Sequence, residues 1–358
     1  MTKKEQNSSV RVYEVDPLRD HRWQSLVDRH PRAAIFHHVG WLEALRRTYG
    51  YEPVVFTTSP PESDLQNGLA FCRIRSWVTG RRIVSLPFSD HCAPLCDPQE
   101  EFESLIRHLY ADRVGQQWKY IEVRPVQQNF GDTAEKLGFH AVAKYFLHRV
   151  DLEPAAEEIF RRVDKNSVQR RVRRAEREGV TEVCGKSERL LRAFYRLMVR
   201  TRARHSLPPQ PYAWFRNLLD CLGQAADLRL AYLKNVPVAA VLVFHFKDTS
   251  YYKYGCSDQR FHNLGAIPFL LWRAAVHAKS RGSRTFDLGR TEEHQQGLVA
   301  FKNHWTPLSE SLTYWVFPSE PSRTSGREWK LRMVKRVCGL MPVRLLSAVG
   351  TLTYRHIG

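Results

Sequence analysis

The stretch Thr249–Gly289, TSYYKYGCSDQRFHNLGAIPFLLWRAAVHAKSRGSRTFDLG, constrains the fold of this chain more than any other. Thr249 to Cys256 is aromatic and alternating, which suits a β-strand. Ser257 to Gly265 is polar and ends in glycine. Ala266 to Lys279 sets Ile267, Leu270, Leu271, Ala274, Ala275 and Ala278 on one helical face. Pro268 falls in the first turn, where a missing N–H costs nothing. Gly282 ends the helix, and Thr285 to Leu288 reads as a second strand. The loop that opens this helix presents free backbone N–H groups at the positive end of a helix dipole, a natural seat for an anion. The same pattern also serves an ordinary βαβ crossover, and one glycine loop does not choose between the two.

The charge balance bears on that choice. Lysine and arginine number 55 against 37 aspartates and glutamates, a net +18. Such an excess implies an anionic partner: nucleic acid, acidic lipid or a phosphorylated small molecule. With 43% hydrophobic residues in 358, the chain can bury a core of one large domain or two ordinary ones, and disorder is excluded. The opening MTKKEQNSSV has no apolar run, and no stretch reaches membrane-spanning length. A cytoplasmic protein is therefore expected. Seven scattered cysteines fit reduced thiols there. His91-Cys92 with Cys96 could begin a metal site, but no second pair follows at finger spacing, so no metal is expected.

Two halves show the same element order. In the first, a strand at Val10–Val15 and helices at Pro17–His30 and Phe36–Tyr49 precede strands at Glu52–Thr58, Asn67–Ser76 and Arg82–Leu86. A helix at Glu101–Val114 and a strand at Lys119–Val126 follow, and Lys136–Asp151 closes the half. In the second, helices at Glu188–His205 and Pro211–Leu222 lead into a meander from Leu228 to Cys256, then the helix at 266 and strands at 285 and 312. This divides the chain into 10–150, 151–318, a Pro/Ser/Gly linker 319–326 and a tail 327–358. In the tail, Trp329, Met333, Val334, Val337, Leu340 and Met341 oppose Lys330, Arg332, Lys335 and Arg336. A basic amphipathic helix with a tryptophan suits a membrane surface and also suits packing back on the body; peripheral contact of 327–358 with the anionic inner leaflet is the expectation.

Polar chemistry concentrates in four places. Leu86–Leu95 is a loop holding Ser89 and Asp90 between two prolines, read either as a binding loop or as a solvated turn. On Lys119–Val126, Tyr120, Glu122 and Arg124 share one face, toward solvent or toward a lined cleft. Arg161–Arg174 is strongly basic, with Arg170, Arg174 and Arg177 on one helical face, awaiting an anion or solvated. Past Asp287 come Arg290, Glu293, His294, Lys302 and Trp305, at a strand's carboxyl end where open α/β sheets form ligand crevices.

These residues carry a family resemblance. Asp287-Leu-Gly-Arg290, Gly297, Phe301-Lys302 and Trp305 resemble the DFGRS…G…FKxxWG signature of FemAB-like proteins of the GNAT acyltransferase superfamily. Leu288 stands for its Phe and Thr306 for its last Gly. Arg170–Val180 is similar to the family's RRxIRRAxKxGV segment, Tyr252–Ser257 to its YxxxGxS strand, and Leu86–Asp90 to its LPFSDxxGPL stretch. Arg260 to Gly265 nearly fits the GNAT pyrophosphate loop R-x-x-G-x-G/A, with Asn263 in place of the first Gly. The match runs over roughly residues 10–318 and is specific in combination.

The resemblance implies an α/β (α+β) fold of tandem GNAT-like domains, each a mixed, mostly antiparallel twisted sheet flanked by helices. It implies N-acyl transfer of an acetyl, acyl or aminoacyl group to an amine, on a peptidoglycan, exopolysaccharide or other envelope precursor that can be lipid-linked. The donor would be acyl-CoA (such as acetyl-CoA) or aminoacyl-tRNA. Arg260, Asn263, Gly265 and Ala266 would hold a CoA pyrophosphate. Arg170, Arg174, Arg290, Ser89 and Asp90 would bind substrate. Tyr254, Asp287, Glu293 and Lys302 would carry the chemistry, a base freeing the amine and cations or N–H groups meeting the oxyanion. One pocket is expected to hold Tyr254 and 287–302, with Arg170 or Arg174 at its mouth. Two rivals from other classes stand beside this: a non-catalytic glycan or lipid-carrier binding protein, and an RNA-binding protein with steeply salt-dependent affinity.

Overall fold

The computed structural model describes residues 10–96, 99–126, 130–318, 338 and 341–357. Its strands are β1 (Tyr13–Val15), β2 (Glu52–Thr57), β3 (Leu69–Ser76), β4 (Gly80–Val84), β5 (Ile121–Val123), β6 (His140–Asp151), β7 (Thr181–Cys184), β8 (Ala226–Leu233), β9 (Val236–Phe246), β10 (Thr249–Ser257), β11 (Thr285–Glu292) and β12 (Ser309–Phe317). All lie in one twelve-stranded sheet, ordered β1-β2-β3-β4-β5-β12-β6-β11-β10-β9-β8-β7. Two pairs are parallel, β4 with β5 and β10 with β11, and the others are antiparallel. Each half thus holds one parallel pair joined through a helix, as a duplicated unit would.

The helices are α1 (His21–Arg29), α2 (Val39–Tyr49), α3 (Gln99–Gln116), α4 (Phe130–Lys136), α5 (Ala156–Arg162), α6 (Arg170–Arg177), α7 (Glu188–Arg204), α8 (Tyr212–Leu222), α9 (Ala266–Ser280) and α10 (Gln296–Asn303), with one more at Val343–Tyr354. Helices of both halves share a single core on one face of the sheet. There Trp41 of α2 meets Trp214 of α8 edge to face at 5.3 Å, among Trp23, Phe36, Phe194 and Phe215. The two backbones approach so closely that a Cβ on Gly40 would stand 2.4 Å from the Cys221 carbonyl oxygen. On the other face, α6 and α9 cover the second half, and α3 with α4 cover the first.

The halves also exchange strands. β6, the last strand before residue 151, lies between β12 and β11, and β12 lies beside β5. The expected boundary at 150/151 falls at the end of β6, inside a continuous sheet. This exchange brings the Leu86–Leu95 loop of the first half against strands of the second. The short edge strand β7 and helix α10 are elements that the sequence patterns did not indicate.

The 319–326 linker and the first part of the expected tail, with Trp329, Met333, Val334, Val337 and Leu340, lie outside the described residues. What is described of the tail packs back on the body. Tyr51 Oη donates to the Tyr354 carbonyl at 3.1 Å, and Arg82 Nη2 donates to the His356 carbonyl at 2.8 Å. Among the described residues, no helix is long and apolar enough to cross a membrane.

Candidate active site at the parting of two parallel strands

β10 and β11 pair only from Thr249 to Tyr251 and from Thr285 to Asp287. Beyond that both strands are irregular. The β10 register against β9 shifts between Tyr252 and Tyr254, and the β11 register against β6 shifts between Asp287 and Arg290. A bulge adds one unpaired residue and bends its strand. On β11, Gly289 takes φ 73°, the left-handed region that glycine enters without strain. On β10, the shift leaves Lys253 unpaired, and its Nζ sits 5.3 Å from the Phe36 ring centre, on the shared-core face with Tyr251 and Tyr254. The two strands part, and Lys302 of α10 reaches into the gap. Its Nζ donates to the Gly289 carbonyl at 2.6 Å and to the Arg290 carbonyl at 3.1 Å.

Charged groups from both halves meet here. Lys253 Nζ pairs with Asp90 Oδ1 at 2.7 Å, both side chains nearly buried. Asp90 lies so close to β11 that a Cβ on Gly289 would be 3.1 Å from its Oδ2. Arg290 Nε is 3.7 Å from Asp90 Oδ1, and its guanidinium stacks 4.2 Å over Tyr145 and 4.9 Å over Tyr314. Tyr314 Oη donates to the Asp90 carbonyl at 2.6 Å. Arg124, also 4.9 Å from the Tyr314 ring, donates from Nη1 to the Leu86 carbonyl at 3.1 Å and from Nε to Glu122 at 2.9 Å. The Glu122–Arg124 face of β5 therefore lines this cleft and fixes the Leu86–Leu95 loop.

Asp287 is 2% exposed. Its Oδ1 accepts from the Gly289 amide at 2.6 Å, and its Oδ2 lies 3.6 Å from His91 Nε2 and 3.5 Å from Arg149 Nε. Asp287 Oδ2, both ring nitrogens of His91, Arg290 Nη1 and Thr291 Oγ1 are buried without a hydrogen-bond partner. Folded proteins pair nearly all such atoms. Asp287, His91 and Arg290 therefore form the candidate site for a polar ligand.

Burial and charge tune the groups. Burial brings the Lys302 ammonium down to about 8, with Asp90 and Asp287 acting against the drop. Burial also lowers Lys253, against the pull of Asp90. For Asp287, burial pushes upward, but His91 and Arg149 outweigh it and hold the carboxyl below its ordinary value. Burial opposes the charge of Arg290, while Tyr314, Tyr145 and Asp90 favour it, and it stays firmly protonated.

Of the residues singled out in the sequence, Asp90, Asp287, Arg290 and Lys302 come together here. Ser89 is buried beside them, its Oγ donating to the Leu86 carbonyl at 2.6 Å, so it shapes the loop. Tyr254 shares the core face of β10, where its Oη accepts from Trp214 Nε1 at 2.8 Å and burial raises its pKa. Glu293 is exposed on the turn after β11.

The expected pyrophosphate loop stands elsewhere. Gln259–Leu264 is a 3-10 turn with Asn263 exposed, and Gly265, at φ 76°, precedes Ala266 at the start of α9. Arg260 is held by Asp258, Nη2 to Oδ2 at 2.7 Å and Nε to Oδ1 at 3.1 Å. α6 crosses at this point, and a Cβ on Gly265 would stand 2.6 Å from the Arg171 carbonyl oxygen. Arg170 and Arg174 are exposed on α6, with Arg174 Nε 3.8 Å from Glu178. Helices α6 and α9 pack with Phe286 and Leu288, the neighbours of Asp287 that point to the opposite face. The two arginines therefore lie across the sheet from Asp287.

His91, Cys92 and Cys96 part ways: His91 faces Asp287, Cys92 Sγ is 3.3 Å from His37 Nε2, and Cys96 joins the core under α3. Asp227, His245 and His277 have ligand-type atoms close together. Arg229 Nη2 donates to Asp227 Oδ2 at 3.0 Å, His245 bonds Ser250 Oγ at 2.7 Å and Asp227 Oδ2 at 3.0 Å, and His277 Nδ1 lies 3.2 Å from that same oxygen.

The sequence patterns did not single out Lys253, Arg149, Tyr145 or Tyr314, and had His91 only as a metal ligand.

Residues 162–302 match the family model of the acetyltransferase (GNAT) domain. The solved structure of FemX superposes with a TM-score of 0.68 at 14% identity, covering 89% of this chain and 99% of that one. The tandem GNAT protein from the clavulanic acid biosynthesis pathway gives 0.55 at 13% identity, covering 87% and 100%. L-PGS from Bacillus licheniformis gives 0.54 at 13%, covering 82% and 91%. No curated protein matches by sequence. Residues 162–302 thus match the GNAT acetyltransferase domain, and the chain as a whole shares the fold of FemX and of the tandem GNAT protein.

Proposed function

We propose that the protein is an N-acyltransferase that aminolyses an activated ester or thioester at the parting of β10 and β11. The observation that carries this reading is the set of unpartnered buried atoms on Asp287, His91 and Arg290 around the ammonium of Lys302. Simple anion binding has no use for the carboxylates.

In this reading the acceptor amine loses a proton to the Asp287–His91 pair, and its lone pair forms the new C–N bond. Lys302 spends two of its three donors on the Gly289 and Arg290 carbonyls, leaving one to meet the oxyanion. The carbonyl then re-forms as the C–S or C–O bond to the donor breaks. Tyr254, whose oxygen accepts from Trp214, keeps its own O–H to protonate the leaving group. Glu293, on the exposed turn, orients the acceptor from outside. The acceptor is an amine on a cell-envelope or exopolysaccharide precursor, in keeping with the FemX-like fold.

The donor is acyl-CoA or aminoacyl-tRNA. An uncapped α9 N-terminus after Gly265, with Ala266 as its first residue, favours a CoA pyrophosphate held with Arg260 and Asn263. The exposed Arg170 and Arg174 beside it suit either anionic donor. The Asp258–Arg260 pair favours aminoacyl-tRNA, because the guanidinium is already engaged. Native mass spectrometry of the purified protein, followed by CoA titration of wild type and Arg260→Ala, separates them. CoA binding that weakens in Arg260→Ala assigns the donor as acyl-CoA. No CoA binding by wild type, or equal binding by both, removes CoA and leaves the tRNA donor.

A further inference from the structure

We propose that the β3–β4 hairpin tip and the outer face of the C-terminal helix form one docking face for an anionic lipid surface. The proposal does not depend on the acyl-transfer chemistry, because vesicle binding is read without turnover.

Trp77 is 90% exposed and Val78 56% exposed at the hairpin tip. By contrast, Trp23, Trp41, Trp118, Trp214, Trp305 and Trp315 are buried. Core burial does not hold an indole this exposed, and its apolar body and polar N–H suit a membrane interface.

The tip is locked to the end of the chain. The Trp77 and His356 rings are 5.5 Å apart, His356 Nδ1 is 2.9 Å from Ser76 Oγ, and its carbonyl accepts from Thr79 at 3.0 Å. Ile357 follows, 61% exposed. In the helix Val343–Tyr354, Leu346 and Tyr354 are buried against the body, while Leu345 and Leu352 are 56% and 68% exposed. Leu345 and Leu352 are seven apart, so they lie on one helical face, with the exposed Ala348 between them. That stripe leads toward Ile357 and Trp77.

The surround is basic, and this selects the partner. Arg75 faces Arg81 across the hairpin, the Lys119 stem lies against Gly80, and Arg355 adjoins His356. An apolar tip within a cationic rim complements an anionic bilayer: the side chains enter the interface and the cations meet lipid phosphates. The contact point in this proposal is the hairpin and the last helix.

Flotation of the full chain with phosphatidylglycerol-containing vesicles and with neutral phosphatidylcholine vesicles tests this. Wild type should float with the anionic vesicles only. Trp77→Ser should lower vesicle affinity by roughly tenfold, and Arg75→Glu with Arg81→Glu should do the same. Turnover on a soluble acceptor should be equal in Trp77→Ser and wild type, so failure here is separable from failure of the acyltransferase reading. No flotation of wild type overturns the proposal. So does equal flotation of Trp77→Ser, which would place any lipid contact elsewhere in the chain.

Discussion

The ammonium of Lys302 lies 2.6 Å from the Gly289 carbonyl oxygen, two residues past Asp287, the last residue that β11 pairs with β10. The gap, the charge in it and the nearby unpartnered atoms all follow from two bulges on adjacent strands.

The Asp90–Lys253 pair joins the two halves and is nearly buried, so breaking it leaves a charge without a partner. Asp90→Asn or Lys253→Met should each destabilise the protein by about 3–5 kcal/mol. Combining Asp90→Asn with Lys253→Met should recover part of that loss. Urea unfolding of the singles and the double measures the coupling. Singles that add without coupling would show that the contact does not hold the loop to the second half.

Lys302 gives a pH signature. Its ordinary value is 10.5 and its folded value about 8. Between these, the unfolded chain holds a proton that the folded chain has released. Its contribution to stability therefore rises with pH across the interval from 8 to 10.5. Below that interval the buried charge costs about 3 kcal/mol. Unfolding free energy followed over this range should rise more steeply in wild type than in Lys302→Met. Parallel profiles would mean that the ammonium is not desolvated.

Much of this was legible and some was not. The strand–loop–helix–strand of Thr249–Gly289 is present as read, because Ile267, Leu270, Leu271, Ala274 and Ala278 keep helical spacing against a β-branched and aromatic sheet. Asp90 was marked by the polar side chains of its loop, and Arg290 and Lys302 by the polar cluster just past a strand's carboxyl end. Lys253 was hidden because a bulge sets two successive residues on one face, which period-two reading forbids. Tyr145, Arg149 and Tyr314 were hidden because they reach the site only through the exchange of β6 and β12, and no local pattern reports which distant strand is a neighbour.

Gly265 tests the loop at α9. Its left-handed φ alone makes a Cβ cost roughly 1–2 kcal/mol. The Cβ would also stand 2.6 Å from the Arg171 carbonyl oxygen, forcing α6 away. Gly265→Ala should therefore lose more than the backbone cost alone, and hydrogen exchange should rise in residues 170–177. Unchanged protection there would show that α6 does not rest on this turn.

The central claim is acyl transfer to an amine at the Lys302 site. Mass spectrometry of reactions containing the protein, an amine-bearing envelope precursor and either acetyl-CoA or aminoacyl-tRNA tests it directly. The expected result is an amide product with one of the donors, formed by wild type and lost in a folded Lys302→Met. No product with either donor, or the same rate from Lys302→Met, would contradict it.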